Sequence, residues 1–355
     1  MNSKITDHIN KVEQAARNWL QPDNYALKEA IDQTINEGLF SFEDIKHQLL
    51  VLKENIESGQ ITAWAQRAGL SDTDNAVGKT ILCLHAGNLP LVGFQTALGV
   101  ILSGADYTGK LSRKDPYLLK TFLTELNQVG LDNSINYSTD LNDCEGLEAD
   151  EVVFAGSSAS VAVVKKEINR LGAASDEARY LIRTAKFSMA YVDNQDALTM
   201  KDLTEAIFRY GGKGCRSVAV VVSPYSLDSI KCEFTDYVES FWLKNPQHQE
   251  PGPALAYQFA YNKAIERSQA WLDHFLIQES TDLPDQDFLV NWVQGDEDTV
   301  RELKAKFGDV VQSIYTTGQQ VEGIETTPLS QAQRPPLWWQ PDGVGVLKEL
   351  LCSYS

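Results

Sequence analysis

Cys215 stands in the stretch "YGGKGCRSVAVVVSP", residues 210–224, where Gly211, Gly212 and Gly214 surround one thiol between Lys213 and Arg216. Glycines on both sides let another molecule approach the backbone closely, and flanking cations favour the thiolate that acts as a nucleophile. A cysteine just ahead of a β-branched run is also an ordinary small core hydrophobe. Both readings stand on this stretch alone. Cys83, Cys144, Cys232 and Cys352 have no such setting, and the five cysteines include no Cys-x-x-Cys pair, so neither a disulfide framework nor a zinc site is expected. His8, His47, His85, His248 and His274 show no metal-ligand spacing either.

Three other stretches place polar residues on turns after apolar runs: "HAGNLPL" (85–91), "GKLSRKDP" (109–116) and "FAGSSASV" (154–161). Taken locally, Asn88 suits the cap of a following helix. Gly156 with Ser157 and Ser158 makes a turn opening a helix, whose N-terminus attracts phosphate; it is not the GxGxxG fingerprint. Arg113 and Lys114 fit a solvated charged turn. His85 has two readings, a proton donor or a core histidine with its nitrogens satisfied.

The elements that would carry these turns alternate. The first 75 or so residues read as helical, with Ser41 and Asp44 forming a capping box ahead of "IKHQLLVLKENIESG" and Gly59 a stop. "KTILCLHAG" (79–87) has the texture of a buried parallel strand and "LPLVGFQTALGVILSGA" that of a buried helix. "DYTGKLSRKDP" is a strand and turn, with Asp115 as N-cap and Pro116 as first-turn residue of the helix "YLLKTFLTELNQVG". "ADEVVFAGSSASVAVVKKEINRLG" repeats strand, turn, helix. Such alternation means doubly wound α/β sheets, with ligands at the carboxyl ends of the strands.

After residue 185 the scheme resumes with "KFSMAYVDN", the helix "KDLTEAIFRYGG" and the strand "RSVAVVVSP". Aromatic-rich helices are expected over Phe234–Leu243 and Ala254–Ile277, then a strand–helix–strand set, "DFLVNWV", "TVRELKAKFG" and "DVVQSIYT". The tail has a Pro- and Trp-rich turn and a short amphipathic helix.

At 355 residues, 43% hydrophobic and 23% charged, the chain has ordinary globular composition. Lys plus Arg number 31 against 49 Asp plus Glu, a net charge of −18, which argues against nucleic acid as a main partner but leaves room for a small anion in a local pocket. The N-terminus lacks an apolar signal core and no apolar run reaches spanning length, so a cytoplasmic protein with reduced thiols is expected, without a membrane span.

The order "HAGNLPL", "GKLSRKDP", "FAGSSASV", "YGGKGCRSV" resembles the aldehyde dehydrogenase superfamily, and more closely the acyl-CoA reductases of the LuxC type, which supply fatty aldehyde in bacterial bioluminescence. The resemblance is strong over residues 80–225, looser in the tail, and slight in the first 75 residues and in 235–325. It implies an aldehyde dehydrogenase-like fold: two doubly wound α/β domains with the cofactor and the catalytic cysteine at their interface. The implied division is 1–190, a nucleotide-binding domain with a helical N-terminal segment; 191–330, a catalytic domain carrying Cys215; and 331–355, a tail of open membership.

The resemblance also assigns roles. Cys215 becomes the nucleophile, about 60 residues after the Gly-Ser turn, and its backbone N–H joins the Asn88 amide, two residues before Pro90, as an oxyanion hole. Lys110 and Ser112 would contact the adenosine ribose and phosphates, with Gly156, Ser157 and Ser158 at the pyrophosphate. Arg113 sits where NAD-preferring members carry an acid, which leans the cofactor to NADPH, with NADH as the other choice. No metal is implied.

One departure narrows the chemistry. The segment matching the superfamily's Glu-Leu-Gly-Gly is "ARYLIRTAKFSMAYVDN", with Ile182 at the glutamate's place and no paired glycines. Without that base, a thioester on Cys215 is hydrolysed slowly, whereas exchange with coenzyme A needs no activated water. The expected activity is NAD(P)H-dependent reduction of long-chain acyl-CoA to aldehyde through a cysteine thioester. Two alternatives are an aldehyde- or acyl-phosphate-using dehydrogenase on the same fold, and a catalytically silent partner subunit. Arg183 would reach a phosphate or pair with an acid. Trp242, Tyr257, Tyr261 and Trp271 would be core residues or line an acyl tunnel. The chain is shorter than full aldehyde dehydrogenases, which puts their oligomerising arm in question; a homodimer and an acyl-transferring partner protein are the associations considered.

Overall fold

The computed structural model describes residues 3–70, 76–184, 186–246, 250–318, 320–340, 343 and 345–353; His248 and, in the tail, Pro341, Asp342 and Val344 lie outside them. The chain forms two compact units, Met1–Thr184 with Pro336–Ser355, and Ala185–Pro335.

The first unit opens with four helices, α1 (Ser3–Trp19), α2 (Tyr25–Asn36), α3 (Phe42–Glu57) and α4 (Gln60–Ala68). Ser41 caps α3 as expected, its Oγ accepting from the Asp44 N–H at 3.1 Å. Gly59, at φ +76°, turns the chain from α3 into α4. There follow β1 (Thr80–Leu84), α5 (Phe94–Leu102), β2 (Asp106–Lys110), α6 (Leu118–Leu126), β3 (Ile135–Ser138), β4 (Ala149–Gly156), α7 (Val161–Leu171) and β5 (Ala174–Thr184). The strands form one parallel sheet in the order β3-β2-β1-β4-β5. Reversal of strand order on either side of β1 makes this a doubly wound sheet with its switch point between β1 and β4.

The alternation of β1 sets the two layers. Ile81 and Cys83 join a core with α1, α3, α4, α5 and α6, while Leu82 and Leu84 join a second core with Ile168 and Leu171 of α7. Trp19, Phe94 and Phe122 stack at the centre of the first core, and the Trp19 indole N–H donates to Thr121 Oγ1 at 2.8 Å.

The second unit contains β6 (Phe187–Tyr191), α8 (Ala197–Phe208), β7 (Val218–Ser223), α9 (Leu227–Lys244), α10 (Pro253–Ala264), β8 (Gln269–Leu272), β9 (Phe275–Glu279), β10 (Leu289–Gln294), α11 (Glu297–Phe307), β11 (Val311–Thr316) and β12 (Thr327–Pro328). Its sheet runs β12-β11-β6-β7-β10-β9-β8, parallel except for the β8–β9 pair. The chain then returns to the first unit, where α12 (Val346–Ser353) buries Val346, Leu347, Leu350 and Leu351 in the first core.

Two expectations about elements are corrected. The helix expected over Ala254–Ile277 stops at Ala264, and a hairpin follows with Leu272 opposite Phe275 and Asp273 left-handed at φ +56°. An amide ladder fixes that hairpin against the helix: Asn262 donates to Gln278 Oε1 at 2.7 Å, Gln278 to Asn291 Oδ1 at 2.9 Å, and Asn291 to the Asp282 carbonyl at 2.8 Å. Nor do the four aromatics line a tunnel or share a core. Trp242 packs on Phe208 and Phe275, but Tyr257, Tyr261 and Trp271 are 76%, 57% and 40% exposed.

Candidate active site

The register of the first sheet brings three of the four motifs to one edge. Leu84 of β1 pairs with Lys110 of β2 and with Phe154 of β4, so residues 85–91, 111–116 and 157–160 all leave from the carboxyl ends of adjacent strands at the switch point. The His85 N–H donates to the Lys110 carbonyl at 3.0 Å, extending the β1–β2 ladder one step.

Asn88 is exposed, and its side chain makes no hydrogen bond among the described residues. It does not cap α5: the residue at that position is Gly93, which forms no side-chain cap bond. The local reading of Asn88 as a helix cap is therefore set aside. Its loop is nonetheless rigidly seated. A Cβ on Gly87 would fall 2.3 Å from Ser112 Oγ, so only glycine lets the two loops touch there. Leu91 is left-handed at φ +57°, a conformation costing about 1–2 kcal/mol for a side-chain-bearing residue. Its N–H donates to Asp115 Oδ2 at 2.7 Å.

Asp115 does more than its expected role: besides facing the Leu118 N–H at the start of α6, as the helix-cap reading expects, it reaches back to the Asn88 loop. The residue is 5% exposed, and burial raises the pKa of its carboxyl to about 6. Oδ1 is buried without a partner among the described residues.

His85 is buried, and its Nε2 lies 2.6 Å from the Tyr107 hydroxyl. Burial, with the Lys110 charge adding, lowers its pKa to about 4. The ring rests on Gly93, where a Cβ would come within 2.4 Å of Nδ1, and the Tyr107 hydroxyl crosses Gly109 in the same way. The imidazole is therefore neutral near pH 7 and walled in.

Lys110 is half-buried at the end of β2, and burial, then the Arg113 charge, lower its pKa. Ser112 is half-buried, with Oγ accepting from the Lys114 N–H at 3.2 Å. Arg113 is exposed and donates no hydrogen bond among the described residues. Beyond β3, Asp140 has its carboxyl held low by the Asn142 N–H and further by Arg113 and Lys110. Asp140 and Tyr107 went unnoticed in the sequence because neither carries a local motif.

At the end of β4, a Cβ on Gly156 would strike the Phe154 ring at 2.5 Å, so packing already requires glycine there. Ser157 and Ser158 are exposed ahead of α7, with Ser157 Oγ 2.6 Å from Ser160 Oγ. Ile182, at the place of the superfamily's glutamate, packs with Val161 and Val164 against the α7 face. Arg183 lies instead on the other face, buried, with Nη1 3.4 Å from Thr96 Oγ1 of α5; it does not sit at the phosphate turn.

In the second unit Cys215 lies just before β7, at the amino end of that strand. Its loop is built from left-handed residues: Tyr210 at φ +58°, Gly211 at +65°, Gly212 at +69° and Gly214 at +100°. Tyr210 tolerates this because Arg209 anchors the turn, with 2.6 Å bonds to Glu205 Oε1 and Asn245 Oδ1 and its guanidinium over the Phe241 ring. Gly212 is needed where Phe275 would meet a Cβ at 2.8 Å. The loop backbone is pinned on both sides of the thiol: Ser188 Oγ donates to the Cys215 carbonyl at 2.8 Å, and Ser217 Oγ to the Lys213 carbonyl at 2.7 Å. Cys215 is part-exposed, whereas Cys83 and Cys144 are buried and burial raises their pKa; Cys232 and Cys352 are exposed on helices.

Comparison with solved structures defines the fold. An oxidoreductase from Marinobacter aquaeolei aligns at 12% identity with a TM-score of 0.60, covering 94% of this chain and 76% of that one. The substrate-bound AldH of Staphylococcus aureus aligns at 13% identity and TM-score 0.58, covering 88% of this chain and 75% of its own. Aldehyde dehydrogenase 21 of Physcomitrella patens aligns at 13% and 0.51, over 89% and 78%. The chain has the aldehyde dehydrogenase fold. No curated protein matches it.

A family model is more specific: acyl-CoA reductase (LuxC) matches residues 2–312, a span that includes every motif above and the N-terminal helices. The chain belongs to that family, and it is an oxidoreductase of the acyl-CoA to aldehyde type.

Proposed function

We propose that the chain reduces long-chain acyl-CoA with NADPH through a thioester on Cys215, the first unit holding the dinucleotide and the second carrying the nucleophile. The observation that carries this reading is the Cys215 loop: a part-exposed thiol on a turn of left-handed residues, its carbonyl fixed by Ser188.

A dinucleotide fits the first unit on its own terms. The carboxyl edge at the switch point offers Lys110, the Ser157–Ser158 turn ahead of α7 and the exposed Arg113, whose guanidinium suits a 2′-phosphate. When bound, a reduced nicotinamide supplies the reducing equivalent that takes the acyl group to the aldehyde level. The residues do the rest. Cys215 Sγ attacks the thioester carbonyl and the bond to the coenzyme A sulfur breaks. Negative charge on the carbonyl oxygen is taken by the Asn88 amide and the Cys215 N–H. After reduction the carbon–Sγ bond breaks, releasing aldehyde and restoring the thiol. His85, neutral and enclosed, supports the Asn88 loop in this scheme and supplies no proton. Ile182, at the place where the superfamily has a glutamate, offers no carboxylate to activate water from that position, which favours slow hydrolysis of the thioester.

Palmitoyl-CoA with NADPH or NADH, followed by absorbance loss and trapped aldehyde, tests the reading. Turnover is expected, faster with NADPH, abolished in Cys215→Ala and reduced about 10²–10³-fold in kcat by Asn88→Ala. An enzyme inert to acyl-CoA that oxidises aldehyde or reduces acyl phosphate would replace it.

A further inference from the structure

We propose that Asp115 is a positioning residue for Asn88, tying the oxyanion-donor loop to the cofactor-side loop; the inference rests on the reading of Asn88 above. Three ties join residues 85–91 to residues 110–115: the His85 N–H on the Lys110 carbonyl at 3.0 Å, Gly87 against Ser112, and the Leu91 N–H on Asp115 Oδ2 at 2.7 Å. The last two bracket Asn88. The first two need only backbone and a missing Cβ. The third is a specific side chain, and it closes on the residue in the left-handed conformation.

The arrangement is poorly explained as stabilisation alone. Besides facing the Leu118 N–H of its own helix, Asp115 spends Oδ2 on the Leu91 N–H of a different loop, its buried Oδ1 makes no hydrogen bond among the described residues, and the Leu91 backbone is left-handed. Strain and an unsatisfied buried acceptor persist where surrounding structure imposes a geometry that function uses. The geometry imposed here is the direction of the Asn88 amide, which makes no hydrogen bond of its own among the described residues. Because Asp115 is the fifth residue after Lys110 and its N–H bonds the Ser112 carbonyl at 3.1 Å, whatever seats residues 110–114 also seats Asn88.

A double-mutant cycle in the full chain tests this, with kcat and KM for palmitoyl-CoA as readouts. Asp115→Ala is expected to lower kcat at least tenfold with little change in KM, and Asp115→Asn, whose amide oxygen still accepts from Leu91, to restore most of it. In an Asn88→Ala background, Asp115→Ala is expected to cost less than twofold, because the group it positions is gone. Equal losses in both backgrounds, or no loss in either, overturn the inference and leave the proposed function standing. If Asn88→Ala itself retains full activity, the oxyanion role fails and this inference fails with it. Asp115→Ser, too short to reach Leu91, carries the same cycle should the alanine variant not fold.

Discussion

His85 and Asp115 bury opposite kinds of titratable group beside the same loop, and their pH effects oppose each other. The imidazole has a folded pKa of about 4 against an ordinary 6.5, so the unfolded chain takes up its proton first and stability falls as pH drops from 6.5 towards 4. The carboxyl has a folded pKa of about 6 against an ordinary 3.8, so the folded chain takes up its proton first and stability rises as pH drops from 6 towards 3.8. At 1.36 kcal/mol per unit each is worth about 3 kcal/mol, and in the wild type they nearly cancel. Removing one reveals the other. Between pH 7 and 4.5, urea unfolding of His85→Gln should gain on wild type by roughly 2–3 kcal/mol, while Asp115→Asn should lose ground by a similar amount. Parallel stability curves for wild type and His85→Gln would mean the imidazole is not buried neutral. None of this was legible in the sequence. Asp115 before Pro116 carries the local signal of a helix cap, but its second partner, Leu91, lies far upstream. His85 gave no sign of Tyr107.

Apolar texture located most elements, because a fully buried parallel strand needs a continuous apolar run and β1, β4 and β7 have one, while in β10 the run is broken only by Asn291. It failed where packing decides. β3 is four residues with one buried side chain, too little to register, and the aromatic run through β8 and β9 suits a helix as well as a hairpin until the amide ladder from Asn262 pins it. The rule that ligands gather at carboxyl ends of strands points to Asn88, Lys110 and Ser157 but not to Cys215, which sits before β7; its glycines and flanking cations raised it as a candidate, and only the resemblance chose between nucleophile and core residue. Gly93, read only as one position of a buried helix, stands ahead of α5 and leaves the room that the His85 ring fills. Gly93→Ala would push a Cβ to 2.4 Å from an imidazole that Tyr107 prevents from moving. It should cost about 1–3 kcal/mol by denaturant unfolding, and a neutral result would mean the loop yields freely.

At the scale of the molecule, the acidic surface and the basic edge of one sheet coexist: a net charge of −18 does not prevent Lys110, Arg113 and Lys114 from clustering within five residues. The more consequential feature is α12. Val346 meets α5 at Gly99, where a Cβ would fall 2.4 Å from its Cγ1, and Leu347 and Leu350 are wholly buried beside it. Four buried aliphatic residues at about 1.5–3 kcal/mol each rival the entire stability of a typical domain. Deleting 345–355 should therefore strip hydrogen-exchange protection from β1 and α5 while sparing β7 and β10; unchanged protection would mean the first core closes without it. The second unit is one unbroken stretch, but the first is assembled from both ends of the chain. On the ribosome, the sheet whose strands emerge earliest is thus the last to be sealed: its greasy flank stays wet through the making of everything after it, and cellular holdases have that whole interval in which to bind.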